Sequence, residues 1–167
     1  MAGREASATP SRGRDLAALA GFFALSLLVL AAGGQATATS VATWYPTLHK
    51  PAFNPPAWVF PPVWTALFVL IAIAGWRVWR RFRAARRSLA LALFVVQLVL
   101  NLLWSVLFFG LRSPGAALVE ILFLLAAIVA SLAVFARVDR WAAVCFVPYA
   151  VWVAYAGVLN GMIWALN

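Results

Sequence analysis

Five long apolar segments with short polar connections between them make up most of this 167-residue chain. The segments cover residues 16–38, 58–78, 88–109, 116–135 and 141–166. Each has the length of roughly 20 residues that an α-helix needs to cross the hydrocarbon core of a bilayer. Because lipid offers the backbone no hydrogen bonds, each segment is predicted to be a transmembrane helix. The pattern therefore predicts an all-α integral membrane protein, with residues 1–15 as a tail and residues 16–167 as a five-helix transmembrane bundle.

The connection between the first two helices has an unusual composition. Six of the nine prolines and three of the nine tryptophans lie between Trp44 and Trp64. Proline removes a backbone donor and fixes φ, so this stretch cannot be the interior of a helix. We interpret the proline-rich connection as a rigid lid over a binding cavity.

Basic residues are distributed unevenly between the two ends of the predicted bundle. The N-terminal tail and the second and fourth connections hold 11 of the 13 lysines and arginines, whereas the first and third connections hold only Lys50 and Arg112. By the positive-inside rule, the N-terminus is expected in the cytoplasm, and the lid and the C-terminus outside. The predicted location is a bacterial cell membrane, with the lipid bilayer as a partner.

A cleavable signal peptide is an alternative reading of the first segment. Arginines precede an apolar stretch that is followed by the small-residue site Ala36-Thr37-Ala38. The apolar run 16–32 is longer than the apolar core of a usual signal peptide. Cleavage would also leave four spans, so we prefer five.

The overall composition excludes several other classes of protein. Hydrophobic residues make up 66% of the chain and charged residues 10%, which excludes an ordinary soluble domain. The net charge of +9 does not predict a nucleic-acid partner, because the basic residues lie in clusters that set membrane topology. A single cysteine and a single histidine predict neither an internal disulfide nor a His/Cys metal site.

Polar and aromatic residues inside the spans form three stripes at helical spacing. They are Trp64 and Phe68 on the second helix, Gln97, Asn101, Trp104 and Phe108 on the third, and Tyr149, Trp152, Ala156 and Asn160 on the fifth. Polar residues within a membrane need a partner or a cavity, so we expect the stripes to converge on an aromatic pocket that suits a flat macrocycle. As an alternative, the amides only link neighbouring helices, and tryptophans near span ends only form an interfacial belt.

Several motifs in this order resemble those of one known family. The longest is W-Y-x-x-L-x-K-P-x-F-x-P-P-x-W-V-F-x-x-V-W-T over residues 44–65, and others are QLVLNLLW at 97–104, FFG at 108–110, ALVE at 117–120, FVPYAVW at 146–152 and LN at 159–160. Together they resemble the TspO/MBR family, the tryptophan-rich sensory proteins of bacteria and the mitochondrial translocator protein. Phe53 and Phe68 depart from the Trp and Tyr that are common in the family.

The resemblance implies a homodimer of five-helix bundles, each with a pocket closed by the first long loop. It implies a tetrapyrrole such as protoporphyrin IX or haem as the ligand, and no covalent cofactor. Lid residues then join the candidate ligand-binding set: Trp44, Tyr45, Lys50, Pro51, Phe53, Pro55, Pro56 and Trp58. Mitochondrial members also bind cholesterol, but the usual sterol pattern fails because no lysine or arginine follows Arg140.

Three functions follow from these features. The first is a membrane receptor or sensor for tetrapyrroles, in which Lys50 pairs with a ligand carboxylate; His49 is expected to be a solvated loop residue rather than a haem ligand. The second is a light- and oxygen-dependent porphyrin-degrading enzyme, working through Trp64 and Trp152 because no acid–base or nucleophilic set lies in the spans. The third is a transporter, for which Glu120 is the single acid within a span, although a structural role at the interface or beside an amide is favoured.

Overall fold

The computed structural model describes residues 11–167 and contains five membrane-spanning helices. They are α1 (Arg12–Thr43), α2 (Phe60–Trp79), α3 (Arg87–Ser105), α4 (Pro114–Val138) and α5 (Arg140–Leu166). The five predicted spans are therefore confirmed, with differences at their ends. Helix α1 begins inside the predicted tail, and the first ten residues of that tail lie outside the described part of the chain.

The helices form a ring in which α1 packs against α2 and α3, α2 against α5, α5 against α4, and α4 against α3. Large apolar side chains from four of the helices fill the centre, including Ile71, Phe94, Leu124 and Phe146. Helix α1 contributes least to this core, because Ser26 and Ser40 are the buried residues of its described length. The ring is therefore well packed around α2 to α5 and loosely closed by α1.

Helix α3 does not end at Ser105 but widens into a π-helical turn, Val106–Gly110. Such a turn leaves backbone carbonyls displaced from the regular ladder. The Ser40 hydroxyl of α1 donates a hydrogen bond of 2.6 Å to one of them, the carbonyl of Phe109. Pro114 then begins α4, a position where its missing N–H costs no hydrogen bond.

The lid, residues 44–59, lies outside both flanking helices, as its prolines predict. The last part of the proline-rich stretch differs from the prediction, because Pro61 and Pro62 lie in the first turn of α2, where a missing N–H costs no hydrogen bond. Two short 3₁₀ turns, Tyr45–Thr47 and Ala57–Val59, bracket an irregular stretch. The Lys50 ammonium holds the first turn together, because it donates to the carbonyls of Tyr45 at 2.7 Å and Leu48 at 2.8 Å. It also lies 4.9 Å from the centre of the Tyr45 ring.

The opposite end of the bundle, here called the basic end, comprises the start of α1, the α2–α3 turn and the α4–α5 connection. It includes the ends of α2 and α4 from Arg77 and Arg137 onward and the start of α3 at Arg87. Asp139 caps α5 by accepting hydrogen bonds from the backbone N–H groups of Trp141 and Ala142. The same carboxylate pairs with Arg77 at 3.1 Å and Arg81 at 2.6 Å. Burial by itself would raise the pKa of Asp139, but the hydrogen bonds from both arginines and from Ala142 hold this pKa below its usual value.

A second acidic residue connects α1 to α2 at the basic end. Asp15 accepts a hydrogen bond of 3.0 Å from the Trp76 indole and pairs with Arg80 at 3.3 Å. Trp76 lies near the end of a predicted span, where tryptophans often form an interfacial belt, but here its indole also joins two helices. The two carboxylates together join α1, α2 and α5 at this end.

Candidate functional site

A cavity of about 450 Å³ lies between α1, α2 and α3, beneath the lid. Helix α1 supplies a wall of small residues that includes Gly33, Gly34 and Ala38, and α2 supplies Trp64 and Phe68. Helix α3 adds Asn101, Trp104, Ser105 and Phe109, and the lid adds Tyr45 and Ala57. The site is mostly apolar and aromatic, with a few hydroxyl groups and one amide, as small-molecule sites usually are.

Five of the sequence-predicted site residues line this cavity: Tyr45, Trp64, Phe68, Asn101 and Trp104. They come from the lid, α2 and α3, so these three parts of the chain meet at one cavity. Two further residues of the α3 stripe, Gln97 and Phe108, do not line it. Phe108 packs instead in a cluster with Ala117 and Leu159, on the side of α4 and α5.

The α5 stripe was expected to line the same cavity, but the structure places it behind the cavity wall. Tyr149, Trp152, Ala156 and Asn160 all lie off its wall, and α1 takes the place that was expected for α5. The reason is the order of helices in the ring, in which α1 lies between α2 and α3. Whether any of these residues contacts a ligand stays a prediction.

Helix α5 nevertheless supports the cavity wall from behind. The Asn101 amide donates a hydrogen bond of 3.0 Å to the Tyr149 hydroxyl, and the Trp104 indole donates one of 3.1 Å to Asn160. The Trp64 ring meets the edges of Tyr149 at 6.4 Å and Trp152 at 6.5 Å between centroids. Tyr149 and Asn160 of the α5 stripe thus orient two residues of the cavity wall. Asn101 has both of the roles considered for it, because it links α3 to α5 and also lines the cavity.

Two contacts from α5 fasten the lid over the cavity. The side-chain amide of Asn167 pairs with both backbone groups of His49, accepting from its N–H at 2.9 Å and donating to its carbonyl at 3.0 Å. The Tyr155 hydroxyl donates to the carbonyl of Phe53 at 2.8 Å. The His49 side chain is exposed and off the cavity wall, which fits the expected solvated loop residue.

The remaining lid residues of the predicted set serve the lid itself or its outer surface. The Lys50 ammonium is occupied by lid carbonyls, contrary to the expected pairing with a ligand carboxylate. Trp58 and Phe53 are exposed, and Trp44 packs edge-on against Phe108 at 5.8 Å. The prolines Pro51, Pro55 and Pro56 lie off the cavity wall as well.

Tyr45 is a lid residue of the cavity wall, and its side chain carries a hydroxyl group. It donates a hydrogen bond of 2.7 Å to Asn54 in the middle of the lid. Burial raises the pKa of this phenol, the hydrogen bond from Tyr45 to Asn54 partly opposes the rise, and the nearby Tyr155 adds to it. The neutral phenol is therefore the form that suits the closed lid.

Two polar side chains inside the bundle differ from their expected roles. Glu120 is buried in the inner stripe of α4, not at the interface, and neither carboxyl oxygen has a hydrogen-bond partner among residues 11–167. Gln97 donates only to the Phe94 carbonyl of its own helix, at 2.8 Å, so it links no neighbouring helix in the described structure. Each buried group without a partner carries a free-energy cost.

The wall that α1 contributes was not predicted from the sequence. The signal was present in the run AAGGQATATS at residues 31–40, where small side chains leave space between helices. A Cβ atom built on Gly34 would meet nothing within 4 Å. Small residues in membrane helices usually mark close helix packing, which is why this run did not predict a cavity.

Comparison with known proteins agrees with this architecture. The model of the TspO/MBR family matches residues 22–165. A tryptophan-rich protein TspO of Chlorobaculum tepidum is 41% identical over 158 residues, which cover 92% of this chain and 98% of the relative. A tryptophan-rich sensory protein of Cereibacter sphaeroides is 38% identical, covering 87% and 92%. The translocator protein of Bos taurus is 34% identical, covering 81% of each chain.

These matches extend over nearly all of the membrane-spanning part. They support a role as a membrane sensor or receptor and agree with the motifs at residues 44–65 and 146–152. The chain is a multi-pass membrane protein that belongs to the TspO/MBR family.

Proposed function

We propose that this protein is a membrane receptor that binds a tetrapyrrole, such as protoporphyrin IX, in the cavity beneath the lid. The observation that carries the proposal is the aromatic wall formed by Trp64, Phe68 and Trp104 around an otherwise apolar space. Planar π systems gain from offset or edge contacts with such rings. The amide of Asn101, fixed by Tyr149, supplies an orienting polar group.

The lid gives this receptor a way to report that its site is occupied. Tyr45 and Ala57 belong both to the lid and to the cavity wall, so a ligand that fills the cavity presses on the lid directly. The lid in turn is fastened to α5 through His49 and Phe53. In the orientation that we propose, with the N-terminus in the cytoplasm, this reporting surface faces the outside.

A matched pair of glycine variants tests the assignment of the cavity. Gly34 lines the cavity and Gly21 does not, yet a Cβ atom added at either position meets nothing within 4 Å. Leucine also favours the helix at both positions, so neither variant is expected to unfold the protein. Protoporphyrin IX is titrated into the purified protein in detergent and its binding is followed by quenching of tryptophan fluorescence.

We expect Gly34→Leu to weaken binding at least about tenfold, because its side chain occupies space that the ligand needs, whereas Gly21→Leu binds like the parent. Trp104→Leu, which keeps an apolar side chain but removes the ring, is expected to weaken binding by about 2- to 12-fold, the value of one aromatic contact of 0.5–1.5 kcal/mol. If the two leucine variants have equal affinities for protoporphyrin IX, the tetrapyrrole does not bind in this cavity.

A photochemical activity is a second candidate, favoured by one specific contact. The Trp152 indole N–H has no hydrogen-bond partner in the described part of the chain, and its ring lies edge-on to Trp64 of the cavity wall. A tetrapyrrole excited by light in the presence of oxygen would have this pair of indoles beside it. Illumination of the complex should then bleach the Soret band faster than in free porphyrin, and Trp152→Phe should slow the bleaching. Bleaching at the rate of free porphyrin leaves binding alone.

A further inference from the structure

The basic end carries far more positive than negative charge. Its described part holds ten arginines and two carboxylates. Both carboxylates are already paired, Asp139 with two arginines and Asp15 with a third. Internal pairing therefore balances little of the positive charge at this end, and the remaining arginines need an external counter-charge.

Six arginines of the basic end have exposed side chains, and none of these makes a hydrogen bond or ion pair with another residue in the range 11–167. They are Arg12, Arg14, Arg83, Arg86, Arg137 and Arg140. Two of them, Arg83 and Arg86, lie in the short turn of residues 80–86, between the end of α2 at Trp79 and the start of α3 at Arg87. A turn this short keeps both guanidinium groups at the membrane surface.

Exposed aromatic rings lie among these arginines. Phe82 is 38% exposed and packs against Trp79 at 5.0 Å, while the Arg87 guanidinium lies 4.9 Å from the centre of the Phe82 ring. Trp141 is 54% exposed, beneath the guanidinium of Arg140 at 5.4 Å. Cations and exposed rings at the same depth suit the boundary between headgroups and acyl chains.

We propose that the α2–α3 turn, through Arg83 and Arg86, binds the phosphate group of an anionic phospholipid. All basic residues at this end are arginines, whose planar fork can donate two parallel hydrogen bonds to a phosphate. A lipid fits better than a soluble acidic protein, because the exposed rings of Phe82 and Trp141 need an apolar surrounding that acyl chains provide. Basic clusters beside a membrane helix are attracted to anionic headgroups in this way.

This inference is independent of the proposed tetrapyrrole site, because it concerns the opposite end of the bundle. It also goes beyond topology, since it assigns a lipid-headgroup site to two particular residues. Native mass spectrometry of the full chain in detergent, titrated with phosphatidylglycerol or with phosphatidylcholine, measures the affinity for each lipid separately.

We expect phosphatidylglycerol to bind more tightly than phosphatidylcholine, and Arg83→Gln or Arg86→Gln to weaken its binding about fivefold each. The matched control is Arg112→Gln, which removes one positive charge at the lid end and should leave the affinity unchanged. Arg83→Lys keeps the charge but loses the planar fork, so its affinity for phosphatidylglycerol should lie between those of the parent and Arg83→Gln. Because it keeps the charge, this variant also guards against a loss of affinity that comes only from misfolding.

Three results would overturn the proposal. Equal affinities for the two lipids would show that the headgroup charge is not recognised. If Arg112→Gln loses as much affinity for phosphatidylglycerol as Arg83→Gln, the effect comes from the net charge of the protein and not from a site in the α2–α3 turn. Displacement of phosphatidylglycerol by millimolar inorganic phosphate would identify a site for a soluble anion instead of a lipid.

Discussion

The lid end and the basic end both fasten connecting segments to the helices, but they use different chemistry. At the lid end the fastenings are neutral hydrogen bonds, such as the amide pair between Asn167 and His49. At the basic end a buried carboxylate, Asp139, is held by Arg77 and Arg81. A neutral hydrogen bond contributes about 1 kcal/mol, whereas breaking a buried ion pair costs several times more.

The difference indicates which end of the bundle is built to move. Segments that open in a folded protein are drawn from its least stable parts, and the lid depends on a few individually weak contacts. The basic end instead couples helix capping and ion pairing in one residue, Asp139. The cavity lies at the weakly fastened end, where opening of the lid would admit and release the proposed ligand.

The largest expected effect comes from removing the carboxylate at the basic end. Asp139→Ala takes away the cap of α5 and leaves Arg77 and Arg81 without their partner, so we expect a loss of about 3 kcal/mol in the free energy of unfolding. Thermal unfolding in detergent measures it. Asp139→Asn keeps the capping oxygen and should lose less. An Asp139→Ala loss no larger than that of Asn167→Ala would contradict the comparison.

Acid should act on the same end of the bundle. Since the pKa of Asp139 is lowered in the folded protein, its stabilising contribution is complete above its unfolded pKa of about 3.9 and is lost as the pH falls through the folded pKa. Unfolding temperatures measured from pH 6 to pH 2.5 should therefore converge for the parent and Asp139→Asn at the acid limit. A constant gap between the two proteins across this range would exclude the carboxylate as the cause.

Weakening the lid should change kinetics more than stability. Asn167→Ala and Tyr155→Phe each remove contacts worth about 1 kcal/mol from the closed lid, so we expect protoporphyrin IX to dissociate about fivefold faster, as measured by stopped-flow fluorescence. The unfolding temperature should change little. Tyr155→Phe is the stricter variant because it removes only a hydroxyl. Unchanged dissociation in both would show that the lid does not control release.

Alkali should produce the smallest effect, and only at the lid end. Because burial raises the pKa of Tyr45, the closed lid favours the neutral phenol, and this contribution is present below the unfolded pKa of about 10 and lost as the pH rises through the folded value. Hydrogen exchange of residues 45–54 should therefore accelerate beyond the ordinary pH trend once the pH exceeds about 10 in the parent, but not in Tyr45→Phe. If the parent and Tyr45→Phe show the same dependence of exchange on pH, ionisation of Tyr45 does not open the lid.

The sequence predicted the helices well because span length and apolar content are local properties. The ends were less accurate, and α1 shows why: it continues through a polar stretch in which the hydroxyls of Thr37 and Thr43 donate to carbonyls four residues earlier. These bonds satisfy the hydroxyls within the helix, so the polar side chains need no partner outside it. Such local bonds let a polar run continue a helix. The pattern of apolar residues alone therefore ended the predicted span at residue 38, five residues before α1 ends at Thr43.

The site was predicted in part for a similar reason. Spacing along a helix identified Trp64, Asn101 and Trp104 as neighbours on their own helices, and all three line the cavity. Spacing carries no information about which helices are adjacent in the ring, so α5 was expected where α1 lies. The contribution of Gly34 is the absence of a side chain, which no motif of chemically active residues would reveal.

The helix that forms much of the cavity wall, α1, is also the one that buries the least of its own surface against its neighbours. Moving α1 outward therefore costs little free energy, because the movement exposes little of the apolar core and brings the helix against acyl chains. The volume of the cavity can consequently change with the size of the molecule that occupies it. If the proposed ligand binds there, the same cavity can accept ligands of different size while the four better-packed helices keep their arrangement.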